Sequence, residues 1–144
     1  ISLMLASNSK KPLKIAIVAG EVSGDILGSK LMESIRSLDS SVEFIGVGGS
    51  KMTIQGLDSF FVMDEISVMG IIEPLFKLRK LLRLRKELKN FLKDESPDLF
   101  IGIDSPDFNI PVARFLKKRN IRTIQYVSPS VWAWREGRIK SMEK

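Results

Sequence analysis

Two hydrophobic periods take turns along the chain: short continuous apolar runs, and longer stretches in which apolar residues recur every three or four positions. Lys14 to Ala19 is an apolar run of strand length, and Val42 to Val47, Asp98 to Ile103 and Ile121 to Val127 repeat the pattern. Between them, Asp25 to Leu38 carries Ile26, Leu27, Leu31, Ile35 and Leu38 on one side of a predicted helix, and Asn109 to Lys118 reads as another. Ser50 to Gln55 reads as a short helix stopped by Gly56, and Phe60 to Met63 as an edge-like strand. A long helix is predicted from Gly70 to about Asp94, with Pro74 tolerated in its first turn, and a further helix starts near Trp134. Helix-length crossovers between apolar strands predict an α/β fold with a doubly wound, mainly parallel sheet, whose ligands bind at the strand C-terminal ends. Residues 1–12 read as an N-terminal tail and 13–144 as one domain.

Composition narrows the chemistry. The 144 residues are 44% hydrophobic and 28% charged, which suits a globular domain with a core and argues against disorder. The absence of cysteine removes disulfides and thiolate nucleophiles, and the absence of histidine removes the imidazole base and the imidazole metal ligand. Acid–base chemistry therefore falls to Asp, Glu, Lys or Tyr. The apolar start, Ile1 to Ala6, is too short for a signal-peptide core or a membrane span.

Three loops follow strands on the predicted ligand-binding edge. Gly20-Glu21-Val22-Ser23-Gly24-Asp25 links the first strand to a helix whose unpaired N–H groups point at the turn. Two carboxylates and a hydroxyl there suit a neutral hydroxylated ligand, or a phosphate edge, better than a nucleoside triphosphate. Ile103-Asp104-Ser105-Pro106-Asp107-Phe108-Asn109 and Val127-Ser128-Pro129-Ser130-Val131-Trp132-Ala133-Trp134 are the other two. Asp104, leaving a buried strand, reads as a partly desolvated general base or ligand contact, with capping of the next helix as its plainer alternative. Asp25, Asp107 and Asn109 each have a plainer reading as helix caps, and Trp132 and Trp134 as core or interface residues.

Taken together, Ile17 to Gly28, Val68-Met69-Gly70-Ile71, Gly102 to Asn109 and Tyr126 to Trp134 resemble the N-terminal half of the lipid-A-disaccharide synthase family, in matching order from about Leu13 onward. That family is an inverting glycosyltransferase family (family 19) of GT-B type. The resemblance implies a Rossmann-like fold and joining of UDP-2,3-diacylglucosamine to 2,3-diacylglucosamine 1-phosphate, with release of UDP. It places the catalytic base on Asp104. Substrate contacts are expected from Gly20, Glu21, Ser23, Gly24 and Asp25, and from Asp107 and Asn109, either of which is also placed to orient Asp104. GT-B enzymes generally work without a bound metal, and the chain holds no Asp-X-Asp triplet, so no metal or other cofactor is expected. The resemblance also implies a second, UDP-sugar-binding half that these residues do not include, so this chain alone is expected to be inactive. A cytoplasmic protein peripheral on the inner membrane is implied, and a homodimer is left open.

The charge is concentrated. Between Lys77 and Lys93, eight basic residues (Lys77, Arg79, Lys80, Arg83, Arg85, Lys86, Lys89 and Lys93) stand against Glu87 alone, which leaves fifteen basic and sixteen acidic residues elsewhere. The apolar residues of that helix spread over roughly 200° of its wheel, about double the stripe that one core requires. Such a helix suits an anionic membrane surface, with Ile72, Leu75, Leu78, Arg79, Leu82, Arg83 and Lys86 facing it; the plainer reading is a core helix with a solvated basic face. Two other functions stay open from the residues alone. One is a flavodoxin-like mononucleotide-binding module without catalysis. The other is a nucleic-acid-binding domain, which lacks interleaved exposed aromatics and a binding motif, so no nucleic-acid partner is expected.

Overall fold

The computed structural model describes residues 11–63 and 74–127. Five strands, β1 (Lys14–Ala19), β2 (Glu43–Val47), β3 (Leu57–Ser59), β4 (Leu99–Ile103) and β5 (Arg122–Tyr126), form one all-parallel sheet in the order β3-β2-β1-β4-β5. The connecting helices are α1 (Val22–Leu38), α2 (Ser50–Ile54), α3 (Pro74–Glu95) and α4 (Pro106–Lys117). The sheet grows outward from β1 in both directions, so right-handed crossovers place α1 and α2 on one face and α3 and α4 on the other. This is the doubly wound, Rossmann-like arrangement that the apolar runs predict.

Burial explains why the strands are so readable. Ile15 to Ala19 of β1 and Phe100 to Ile103 of β4 are buried throughout, because central parallel strands have helices on both faces. β5 differs: Arg122, Ile124 and Tyr126 are exposed and alternate with half-buried Thr123 and Gln125, as expected at a sheet edge. On α3, Leu84, Leu88 and Leu92 are buried at helical spacing, each worth about 1.5–3 kcal/mol in transfer energy.

Several boundaries differ from the sequence pattern. α1 begins at Val22 rather than Asp25, with Glu21 as an extended N-cap whose side chain makes no capping bond. Ser23, Gly24 and Asp25 therefore belong to the first helical turn. The third strand is Leu57–Ser59, not Phe60 to Met63. Phe60 and Phe61 were attractive strand residues by propensity, yet Phe60 stacks on Phe91 of α3 with ring centroids 4.3 Å apart. α4 starts at Pro106, a residue suited to the first helical position, instead of Asn109.

Pro111 inside α4 has a structural consequence. Lacking an N–H, it cannot bond the carbonyl of Asp107 four residues earlier. Arg85 of α3 supplies the donor instead, its Nη1 reaching the Asp107 carbonyl at 2.9 Å. One of the eight basic residues on α3 thus ties two helices together. A second, Lys89, is half-buried with its ammonium 5.6 Å from the Phe115 ring of α4, and burial, reinforced by the charge of Arg85, lowers its pKa below 10.5.

Candidate functional site at the β1–β4 switch point

The strand order reverses between β1 and β4, which is where open α/β sheets bind ligands. Ala19 and Ile103 are register partners, so Gly20 and Asp104 leave the sheet side by side. Ile103 in turn pairs with Tyr126 of β5. The first two predicted loops are thereby brought together. Of the third, only Val127 is described; Ser128 to Trp134 lie outside the described residues, as do Val68 to Ile71.

Asp104 is 9% exposed at the mouth of this crevice. Both Asp104 and Ser105 hold left-handed backbone, with φ of 46° and 41°. Non-glycine residues in that region cost on the order of 1–3 kcal/mol each and persist where surrounding bonds fix them. Here the Asp104 N–H donates to the Tyr126 carbonyl at 2.8 Å, and the Asp104 carbonyl accepts from Asn109 Nδ2 at 3.0 Å and Gln125 Nε2 at 2.8 Å. The main chain of Asp104 is held from β5 and from α4 at once.

The other predicted ligands divide. Glu21 and Ser23 are exposed at the N-terminus of α1, beside buried Gly20, and Asp107 is exposed in the first turn of α4. Asp25 and Asn109 are both buried and bonded to backbone groups, and Asp25 also lines the groove described below. Asp25 is 4% exposed, and its carboxylate accepts backbone N–H groups of Gly49 (2.9 Å), Lys51 (3.1 Å) and Met52 (3.0 Å). It caps α2, the next helix along, rather than its own. Asn109 is fully buried; its Nδ2 lies 3.3 Å from both the Val18 and the Ile103 carbonyls as well as bonding Asp104. It faces the ends of β1 and β4 and holds them. Gly24 also changes meaning. It sits within α1, and a Cβ there would come 3.2 Å from the Ala19 Cβ and 3.4 Å from the Ile103 Cγ2, so its smallness serves helix-to-sheet packing.

A groove of about 590 Å³ runs alongside, between the first turn of α1, the β2–α2 turn and residues 59–63. Exposed Val22, Phe60 and Val62 give it apolar walls, and Lys51 and Thr53 add polar atoms. On α3, Leu78 and Leu82 are 54% and 46% exposed, next to exposed Arg79, Arg83 and Lys86. Ile72 lies outside the described residues, as does the side chain of Leu75. No helix among the described residues is long and apolar enough to cross a membrane.

Gln125 is the residue that the sequence pattern did not single out, because it is one polar residue inside a predicted strand; Arg85 stood only among the basic residues, and its bond to the carbonyl that Pro111 leaves open has no specific signal.

Comparison with known proteins gives the family. The chain is 59% identical over 134 residues to the lipid-A-disaccharide synthase of Idiomarina loihiensis, covering 93% of this chain and 35% of that protein. It is 55% identical over 130 residues to that of Alcanivorax borkumensis and 54% over 128 residues to that of Pseudomonas syringae pv. tomato, in each case covering 34% of the relative. The chain thus spans about a third of the length of these relatives. The model of the lipid-A-disaccharide synthetase family matches residues 15–144, and on that match, with the Rossmann-like sheet beneath it, the chain belongs to this family.

Proposed function

We propose that this chain forms the acceptor-side half of an inverting glycosyltransferase of lipid A biosynthesis, with Asp104 as its general base. The acceptor is 2,3-diacylglucosamine 1-phosphate and the donor UDP-2,3-diacylglucosamine, held mainly by a second Rossmann-like half. Asp104 removes the proton of the acceptor hydroxyl as its oxygen attacks the anomeric carbon. The new C–O bond forms on the face opposite the breaking one, and UDP departs with the bonding electrons. Glu21 and Ser23, one strand away, bind acceptor hydroxyls. The observation that carries this reading is the strained, doubly clamped exit of Asp104 at the switch point, because left-handed backbone at a buried acid is costly without a task.

Two surfaces support a lipid substrate. The apolar-walled groove beside Ser23 suits an acyl chain, and exposed Leu78 and Leu82 among Arg79, Arg83 and Lys86 suit an anionic bilayer, where each basic residue contributes about 1 kcal/mol. The protein is then cytoplasmic and peripheral on the membrane that holds its substrates. The test is a UDP-release assay on a chain of the relatives' full length. Asp104→Asn is expected to lower kcat by roughly 10²-fold or more with little change in fold. Activity within a few-fold of the parent would move the base elsewhere, Glu21 first.

A further inference from the structure

The end of β4 is built around a gap. Gly102 has no side chain, and a Cβ there would fall 2.5 Å from Gln125 Oε1, 2.9 Å from Asn109 Cβ and 3.1 Å from Asn109 Cγ. Two amide side chains, one from the edge strand and one from α4, occupy the space that a larger residue would fill. Each gives an N–H to the same acceptor, the carbonyl of Asp104. Each also leaves its oxygen buried, with no donor among the described residues for Asn109 Oδ1 or Gln125 Oε1. A buried acceptor without a partner is costly, so this arrangement is not what stability alone would select. Apolar side chains of like size would fill the same space without orphaned oxygens, but they would leave the left-handed turn at Asp104 and Ser105 without its clamp.

We infer that Gln125 is a positioning residue for the transfer reaction: together with Asn109, over Gly102, it fixes the Asp104 main chain and so the direction in which the carboxylate leaves the sheet. The inference rests on the reading of Asp104 as the base. Of the two amides Gln125 is the better probe. Asn109 also reaches Val18 and Ile103, so its loss disturbs the strand ends, whereas the one side-chain hydrogen bond of Gln125 among the described residues goes to Asp104. Its strand already has neighbouring pairs along its length with β4, which keep it in register when the side chain changes. A base displaced by a fraction of an ångström still meets the acceptor but meets it off the line of proton transfer. The loss therefore falls on turnover, and substrate affinity is spared.

The experiment is a double-mutant cycle on a full-length chain, with UDP release as the readout and thermal unfolding alongside. Gln125→Met keeps length and removes the donor. It is expected to lower kcat about 10-fold with KM within about two-fold. In an Asp104→Asn background, where no base remains to be aimed, the same change is expected to cost less than about two-fold. The shift in melting temperature should be the same in both backgrounds. Equal losses of kcat in the two backgrounds, or no loss in either, would overturn the inference and make the amide a structural filler. If Gln125→Met does not fold, Gln125→Glu, which keeps the shape and replaces the donor by an acceptor, takes its place with the same expectations. Full activity in Asp104→Asn itself is a separate failure: it removes the base assignment, and this inference with it.

Discussion

Asp25 and Asp104 are both acidic and both buried, Asp25 in the first turn of the helix after β1 and Asp104 directly at the end of β4, and the backbone takes a different part in each. Asp25 is fixed through its carboxylate, both oxygens of which accept backbone N–H groups from the turn into α2. Asp104 is fixed through its backbone: its N–H and its carbonyl are bonded while φ stays in the left-handed region. A carboxylate that satisfies backbone donors belongs to the fold. An acid whose main chain is clamped in a costly conformation at a switch point is what the proposed base requires. Burial is nearly the same in the two cases, so burial by itself does not separate a structural acid from the one proposed as the base.

That contrast breaks if the two sites respond alike to mutation. Asp104→Asn carries the largest expected effect, the 10²-fold loss of turnover described above. Asp25→Ala is expected to act on stability instead. It strands three backbone N–H groups at the start of α2 and should lower the unfolding free energy by about 2–3 kcal/mol in denaturant titration. Asp104→Gly sharpens the comparison from the other side. Glycine adopts the observed φ without strain, so stability should hold or rise by about 0.5–1 kcal/mol while transfer is lost. A variant of Asp104 that unfolds the domain, or one of Asp25 that slows transfer at full stability, would merge the two classes.

How much of this was legible before folding depends on how far apart the partners lie. β1 and β4 were readable because strands covered on both faces write continuous apolar runs, and Asp104 was readable because it ends one of them. The partners of Asp25 lie more than twenty residues away, in a five-residue helix that exists only once α1 and β2 have packed. No local pattern announces that. Gln125 was hidden for a different reason. In an edge strand that alternates exposed and half-buried residues, a single amide looks like an ordinary polar position, and only the glycine opposite it on β4 shows that it points inward. Phe60 and Phe61 misled the strand assignment because β-propensity reports a fit to half-buried surface, which the flank of α3 also provides.

The two flanks of α3 make a second comparison, at smaller effect. Arg85 and Lys89 face α4 and are engaged there, whereas Arg79, Arg83 and Lys86 are exposed beside Leu78 and Leu82. Changing Leu78 and Leu82 to Ser is expected to reduce binding to anionic vesicles several-fold, with stability within about 0.5 kcal/mol, because surface apolar groups add little to folding. Binding should also fall as salt rises, since screening shortens the reach of the basic residues to about 8 Å at physiological ionic strength. Co-sedimentation with anionic and neutral vesicles at two salt concentrations checks both. Equal loss of fold and binding would return these leucines to the core.

The smallest effect is expected at the opposite end of the sheet, where no chemistry is assigned. Lys14 opens β1 and its ammonium lies 3.0 Å from Glu95 at the end of α3. Both side chains are partly exposed, so the pair should be worth less than about 1 kcal/mol. The hydrogen bond to Glu95, more than its charge, raises the Lys14 pKa above 10.5. A lysine whose folded value is raised contributes stability in full below its unfolded value and loses that contribution as the pH climbs through the folded one. Glu95→Gln should therefore be slightly less stable than the parent near pH 7, with the gap closing in strongly alkaline solution, above the ordinary lysine value of about 10.4. Urea titrations of parent and variant from neutral into alkaline solution check the sign. A gap that does not change in alkali would show that Lys14 is not the partner whose proton matters, and that Glu95 stabilises the end of α3 by some other contact.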